Sequence, residues 1–406
     1  MTACRICSSN IHAFMSFGQQ PIANGFLTPD QIPNEYFFEM ETAYCETCSM
    51  FQLVEQPAPE MMFHSNYAFF SSTSRYMQTH FGNFAELVQE RVLKDRKDPF
   101  VVELGSNDGI MLRNFKNRGQ RHLGIEPSTN VADVARAAGI NTISEFFNKA
   151  LAERIVAEHG HADAVLSANV MCHIPDLNSV AEGIRLLLKP DGVLMFEDPY
   201  LGDVVTKTSY DQIYDEHVFV FSASSVQNTF GRHGLELIDV LPQITHGGSM
   251  RYVLSPKGSH PVSPNVAAQI AKEKAQGLDR PEGYLRFKAN CEKSREDLMG
   301  VLNELRAKGK TVVGYGATSK STTVTNYCGI TPEHVAWISD TTPIKQGKLS
   351  PGAHIPVKPY EEFVNDYPDY ALLFAWNHAA EIREKEGAFM AAGGKWLYFV
   401  PKVEIV

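Results

Sequence analysis

Val101-Val102-Glu103-Leu104-Gly105-Ser106-Asn107-Asp108-Gly109 is the stretch whose reading decides the fold. An apolar run feeds an acidic residue and then a turn bounded by glycines. Glycine at 105 lets backbone approach a ligand at the strand end, because no Cβ stands in the way. Roughly twenty residues on, His122-Leu123-Gly124-Ile125 reads as a second short strand that ends in Glu126. An acidic residue at that spacing can accept both hydroxyls of an adenosine ribose.

Two ligands use such a pattern, NAD and S-adenosylmethionine. A dinucleotide fold wants Gly-x-Gly-x-x-Gly, so that bare amides at a helix N-terminus meet a pyrophosphate. Here the turn is Gly-Ser-Asn-Asp-Gly with Glu103 before it. Acidic residues beside the turn repel a pyrophosphate and suit the sulfonium and ammonium of S-adenosylmethionine. Glu103, Gly105, Asn107 and Glu126 are therefore candidate cofactor residues, with Asn169 at the end of a later strand.

The chain has 406 residues, too many for one ordinary core, so two or three domains are expected. A hydrophobic content of 44% with 21% charged residues describes a globular enzyme. Acidic residues outnumber basic ones 47 to 37, a net charge of −10, which argues against a large nucleic-acid interface. No apolar run is long enough for a membrane span. Met-Thr-Ala-Cys-Arg at the start does not read as a signal peptide, and the expected compartment is the cytoplasm. The sequence does not fix the oligomeric state, and a monomer is compatible with it.

Four of the seven cysteines form two Cys-x-x-Cys pairs, Cys4/Cys7 and Cys45/Cys48. Two such knuckles supply the four thiolates of a tetrahedral zinc, and a four-cysteine site is closed and therefore structural. A thioredoxin-type redox pair is disfavoured for lack of a βαβ frame around either knuckle. After a serine-rich tract at 66–74 an amphipathic helix is expected from Met77 to about Lys94, with Leu87, Val88 and Val92 on one face. The tract is either a capping loop or part of a substrate wall.

Strands are expected at about 100–104, 121–125, 163–168 and 192–197, with helices between them, as a parallel sheet requires. Lys189-Pro190-Asp191-Gly192 reads as the turn into the fourth. Leu235–Leu241 and Met250–Leu254 would close the sheet as an antiparallel hairpin. The architecture is α/β, doubly wound, with ligands at the carboxyl ends of the strands. Residues 262–309 read as helices broken near Gly277–Pro281. A second α/β unit follows, with Gly314-Tyr315-Gly316-Ala317-Thr318-Ser319-Lys320 as its glycine turn and strands at 335–339, 370–375 and 396–400. Such a turn either meets a phosphate or serves packing alone.

The chemistry belongs at the strand ends. Asn169 to Pro175 follows the third strand, and Glu197 to Tyr200 and then Tyr214-Asp215-Glu216-His217 follow the fourth. His173 and His217 thus fall at one cleft edge with the cofactor, and histidine can take a proton near neutral pH. Glu216 need not be the partner of His217, since neighbours in sequence point differently. Cys172 reads as a small buried residue rather than a nucleophile.

With the zinc pairs ahead and the second glycine turn behind, the strings Cys-His-Ile-Pro at 172–175, Phe-Glu-Asp-Pro-Tyr-Leu-Gly-Asp at 196–203, Tyr-Asp-Glu-His at 214–217 and Phe-Ala-Trp-Asn-His at 374–378 resemble the sugar C-methyltransferases of deoxysugar biosynthesis. Within that family they lie nearest the branch that methylates C3 of a dTDP-linked 3-amino-4-keto sugar on the way to D-tetronitrose. The resemblance spans essentially the whole chain. It implies a zinc-binding lobe at 1–65, a class I S-adenosylmethionine-dependent methyltransferase domain at 66–258, a helical connection at 259–309, and a Rossmann-like domain at 310–406 that helps hold a dTDP- or GDP-linked 4-keto sugar. It also implies that a base takes the C3 proton, acidified by the C4 ketone, and that the enolate accepts the methyl group. By resemblance His217 is the base, and Tyr214, Glu216, His173 and Tyr67 line the sugar pocket. Ser72, Ser74, Tyr315 and Lys320 are the further substrate candidates. An NAD-dependent nucleotide-sugar oxidoreductase or epimerase, methylation at C5, and a zinc-bearing scaffold remain the alternatives.

Overall fold

A computed structural model describes residues 2–62, 71–73 and 75–406. The N-terminal lobe contains β1 (Thr2–Ala3), β2 (Asn10–Pro21), β3 (Phe37–Tyr44) and β4 (Phe51–Leu53). β2 is long and bulged, with register shifts against β3 at Ala13/Met15 and Ser16/Gln19. Each Cys-x-x-Cys sits in a tight knuckle that closes on a residue of positive φ, Ser8 at 62° and Ser49 at 60°. In both, the amide four residues on returns to the first cysteine: Ser8 N–H to Cys4 O at 2.9 Å, and Ser49 N–H to Cys45 O at 2.8 Å.

In the central lobe β5 (Phe100–Leu104) is buried at every position, so both of its faces are covered, as in a parallel sheet between helix layers. β6 (Arg121–Ile125), β7 (Thr142–Ile143), β8 (Ala162–Ala168) and β9 (Leu188–Pro199) join it in parallel. β10 (Phe219–Val220) leaves this sheet and pairs antiparallel with β4, so it completes the sheet of the N-terminal lobe. β11 (Leu235–Gln243) and β12 (Ser249–Pro256) form the antiparallel hairpin, and β12 pairs with β9. The order is β11-β12-β9-β8-β5-β6-β7. The topological switch therefore falls between β5 and β8, where a doubly wound sheet opens its ligand crevice.

Two differences from the sequence expectations have simple causes. Residues Lys189 to Gly192 stay within β9 instead of forming a separate turn, because the ladder to β8 absorbs them in a bulge between Ala162 and Ala164. The helix expected from Met77 is Arg75–Val88, followed by one wider π turn at Gln89–Leu93. Val88 is buried, and Leu87 and Val92 pack at the edge of the same core.

Helices Pro264–Gln276 and Pro281–Ala307 form the connection. Gly277 ends the first with φ at +81°, a conformation open to glycine, and Pro281 starts the second. The C-terminal sheet has β13 (Val312–Tyr315), β14 (Ile338–Asp340), β15 (Val357–Pro359), β16 (Tyr370–Leu373), β17 (Lys395–Tyr398) and β18 (Glu404–Ile405), in the order β15-β14-β13-β16-β17-β18. All its pairings are parallel except the last. One apolar core runs through all three lobes, from Ile6 and Phe51 through Phe196 and Phe221 to Val324 and Phe399. Among the described residues no helix is long and apolar enough to cross a membrane.

Candidate active site

The turn after β5 is closed from the next strand. The amides of Gly105 and Ser106 both donate to Ile125 O, at 2.8 and 3.1 Å. Gly105 has φ of +65°, and a Cβ there would lie 2.2 Å from Val170 Cγ2. Glu126 accepts from Asn107 N–H at 3.0 Å and from Ser128 N–H at 2.9 Å. Burial raises its pKa above the usual carboxylate value, against the pull of those two amides. Glu103 is fully buried, and burial together with the charges of Glu126 and Asp108 pushes it well above the usual value.

At the end of β8, Asn169 adopts φ of +57° and donates its amide to Glu197 O at 2.7 Å. Three buried acceptors here have no hydrogen-bond partner among the described residues: Glu103 Oε2, Asp108 Oδ1 and Asn169 Oδ1. Unsatisfied buried acceptors are costly. A ligand carrying an ammonium group and ribose hydroxyls offers the donors they lack, so the donor set fits S-adenosylmethionine. Gly105→Ala should weaken S-adenosylmethionine binding at least tenfold by calorimetric Kd, since it adds both the Val170 clash and a strained φ. An unchanged Kd would mean that the cofactor does not sit over this turn.

The second cluster lies on the segment before β10. His217 Nδ1 is 2.7 Å from Gln212 O, and a carbonyl can only accept, so the proton is on Nδ1. Nε2 therefore carries the lone pair, and the Tyr214 hydroxyl donates to it at 2.8 Å. Burial, helped by the neighbouring His173, drives the pKa of His217 well below its usual value. His173 is lowered to about 4 by burial. Both rings are neutral at physiological pH, and their centroids are 5.1 Å apart.

Glu216 turns away from His217. Its Oε1 accepts from Asn24 Nδ2 at 2.7 Å, and its Oε2 lies 3.6 Å from His173 Nδ1. Burial raises its pKa to about 7, opposed by the Asn24 amide and by Lys345.

All three lobes hold this segment. From the N-terminal lobe, Ala23 N–H donates to both oxygens of Asp215, each at 3.2 Å. From the C-terminal lobe, Thr323 Oγ1 donates to Ile213 O at 2.8 Å and Trp376 Nε1 to Asp211 Oδ2 at 2.6 Å. From the central hairpin, His246 O accepts from Gln212 Nε2. Lys320 is buried, its Nζ 3.5 Å from His246 O and 5.6 Å from the centre of the Trp376 ring. Burial lowers its pKa against the pull of Asp211. Glu197, at the end of β9, ties helix Arg75–Val88 to the hairpin by accepting from His80, Thr245 and Arg251. Burial opposes its ionisation, but these partners hold its pKa at about 2.

The structure thus brings His173, Tyr214, Glu216, His217 and Lys320 together. Glu103, Gly105, Asn107 and Glu126 lie at the adjacent strand ends with Asn169. Ser72 sits on the cofactor turn, where its amide donates to Asp108 Oδ2 at 2.9 Å. Tyr315 lies apart, on the far face of its sheet. Its hydroxyl donates to Glu386 at 2.7 Å, and its ring packs on Phe363 and Trp396. Tyr67 and Ser74 lie outside the described residues. The second glycine turn is closed from within: Ala317 N–H donates to Asp340 Oδ2 and Lys345 Nζ to Ala317 O, each at 2.7 Å. No sequence motif points to Asn24, Gln212, His246 or Lys345.

The sulfurs of Cys4, Cys7, Cys45 and Cys48 all lie within 4.8 Å of one another, with 3.6 Å between Cys4 and Cys48 and 3.5 Å between Cys7 and Cys45. Zinc–sulfur bonds of about 2.3 Å in a tetrahedron put sulfurs roughly 3.8 Å apart, so the four thiols fit a structural zinc.

The doubly wound sheet and the acidic turn define a class I S-adenosylmethionine-dependent methyltransferase. Comparison with known proteins gives the finer grouping. A methyltransferase-domain family matches residues 75–240, a C-methyltransferase C-terminal domain matches 244–401, and a zinc binding domain matches 4–63. The C-methyltransferase NovU of Streptomyces niveus is 34% identical over 406 residues, covering 99% of this chain and 96% of that protein. The ubiquinone biosynthesis O-methyltransferase of Colwellia psychrerythraea is 26% identical over 155 residues, 35% of this chain and 63% of its own. A solved complex of the Haloferax volcanii Trm112 methyltransferase activator and its methyltransferase aligns with a TM-score of 0.36 at 16% identity, over 46% of this chain and 94% of that one. The chain belongs to the C-methyltransferase family that includes NovU.

Proposed function

We propose that the chain methylates C3 of a nucleotide-linked 4-keto deoxysugar, with His217 as the base. The observation that carries this reading is the chain Tyr214 Oη, His217 Nε2, His217 Nδ1, Gln212 O. It holds a neutral imidazole in one tautomer, with the lone pair on Nε2 where it accepts from the Tyr214 hydroxyl. Forming a carbon–carbon bond requires a carbanion equivalent, and a C3–H next to a C4 ketone supplies one once a base takes the proton.

S-adenosylmethionine, when bound, supplies the electrophilic methyl group. The rest falls to the chain. The Tyr214 hydroxyl turns off Nε2 as the sugar enters, and His217 then accepts the C3 proton at Nε2 while Nδ1–H on Gln212 O keeps the ring aligned. The carbonyl of Gln212 stabilises the imidazolium through Nδ1–H. Glu216, with a pKa of about 7, is placed to hydrogen-bond the sugar in either protonation state. His173 lines the pocket as a neutral ring, and Tyr67 is assigned to the same pocket. Buried Lys320 and half-buried Lys345 are the lysines assigned to the diphosphate of the sugar nucleotide. Ser72 and Ser74 are the candidates for substrate contact from the serine-rich tract.

The test is mass spectrometry of sugar products after incubation with S-adenosylmethionine and a panel of dTDP- and GDP-linked 4-keto-6-deoxy sugars in deuterated water. The panel includes the dTDP-linked 3-amino-4-keto sugar of the D-tetronitrose branch. The expected product has gained a methyl group and lost its C3 hydrogen. A methyl group at C5 would move the site of attack, and a product methylated at oxygen or nitrogen with its C3 hydrogen intact would overturn the mechanism.

A further inference from the structure

We infer that Cys172, His173 and His217 form a second metal site, for a thiophilic transition-metal ion of the zinc class, distinct from the four-cysteine site. One donor atom from each residue lies within 4.8 Å of the other two. Zinc bonds of about 2.0–2.3 Å to nitrogen and sulfur put donors roughly 3.3–3.8 Å apart. The three need to draw together by about 1 Å, which small side-chain rotations supply. One thiolate with two imidazoles is a donor set that selects zinc, cobalt or copper over magnesium or calcium.

The surroundings are arranged as they are around metal-bound histidines. Such rings give their second nitrogen to a backbone carbonyl or a carboxylate, which fixes ring orientation. His217 does the first, with Nδ1 on Gln212 O at 2.7 Å. His173 faces the second, with Nδ1 3.6 Å from Glu216 Oε2. The Tyr214 hydroxyl, 2.8 Å from His217 Nε2, holds the lone pair that an ion would take, so it must turn aside on metal entry and can then serve as a fourth oxygen ligand. Cys172 is buried in the short turn Met171–His173 behind β8 and has no part in the proposed methyl transfer. Metal entry replaces the S–H bond by a sulfur–metal bond, and the thiol proton passes to solvent.

An ion held here takes the lone pair that the proposed base needs, so it inhibits the enzyme. Inhibition rests on the reading of His217 as base; binding does not. The probe is cobalt(II), titrated into protein purified with its structural zinc, with both metals counted. One cobalt per chain should bind while zinc is retained, with a thiolate-to-cobalt charge-transfer band. Cys172→Ala and the nearly isosteric Cys172→Ser should lose the band and bind cobalt at least tenfold more weakly, with methyl transfer and structural zinc preserved. No cobalt beyond the zinc content, or a band that survives both substitutions, would overturn the site. A band without inhibition would leave the metal site standing and remove His217 as base.

Discussion

His217→Asn should lower kcat for methyl transfer by about a thousandfold, within the 10²–10⁴ range of positioned acid–base catalysis, while S-adenosylmethionine binds as before. The amide keeps an oxygen or nitrogen near the Tyr214 hydroxyl but cannot take a proton at neutral pH. Glu103, Gly105 and Glu126 are untouched by the change, so the calorimetric Kd for the cofactor is the control. Exchange of the C3 hydrogen of unreacted substrate for solvent deuterium should disappear along with turnover. Near-normal turnover would remove His217 from the reaction. The same residue sets a pH expectation. Burial lowers its pKa well below its ordinary value. The neutral, base-competent ring therefore persists as pH falls through 6.5, the usual histidine value. The acid limb of kcat/KM should lie below that point.

Cys45→Ser should abolish zinc binding and with it most of the folded protein. Structural zinc sites contribute roughly 10–16 kcal/mol of apparent binding free energy in small domains, comparable to the whole stability of a typical fold. Cys45 is buried at the end of β3, and its knuckle leads directly into β4. β4 pairs with β10 through Gln52 to Phe219 and Phe51 to Val220, and Leu53 N–H donates to Val218 O at 2.9 Å. The metal therefore supports the backbone one residue beyond His217. Zinc content by atomic emission and the yield of folded protein should both collapse, and a chelator should reproduce the effect on the unaltered chain. Unchanged metal content in the variant would sink the four-cysteine site.

The cofactor half of the molecule is legible in sequence because its determinants are local. A buried strand, a glycine turn and an acidic residue at the end of the next strand have fixed spacing, and Glu103, Gly105 and Glu126 fall where that spacing puts them. The two-residue strands β7 and β10 are too short to show a period. Asn24 reaches Glu216 across 192 residues, and no periodicity along the chain encodes such a pair. Gln212 acts through its carbonyl, which every residue has, so its side-chain type gives no signal. Tyr315 and Lys320 flank the same glycine turn, so the sequence offers them together. Tyr315 ends a strand, where side chains alternate between faces, and its face is the interior packed on Phe363. Lys320 is on the helix beyond the turn, on the side toward Asp211 and His246. Proximity in sequence says nothing about which side of a sheet a residue serves.

The sharing of β10 between lobes also has a consequence for synthesis. The N-terminal lobe leaves the ribosome with β4 as an unpaired edge, and its fifth strand is not yet made. At 5–20 residues per second the wait from β4 to β10 is on the order of ten to thirty seconds. Exposed edges of this kind recruit other strands. Early zinc capture would hold the knuckle closed through that interval, so metal-starved growth should raise the insoluble fraction of newly made chains more than it harms chains already folded.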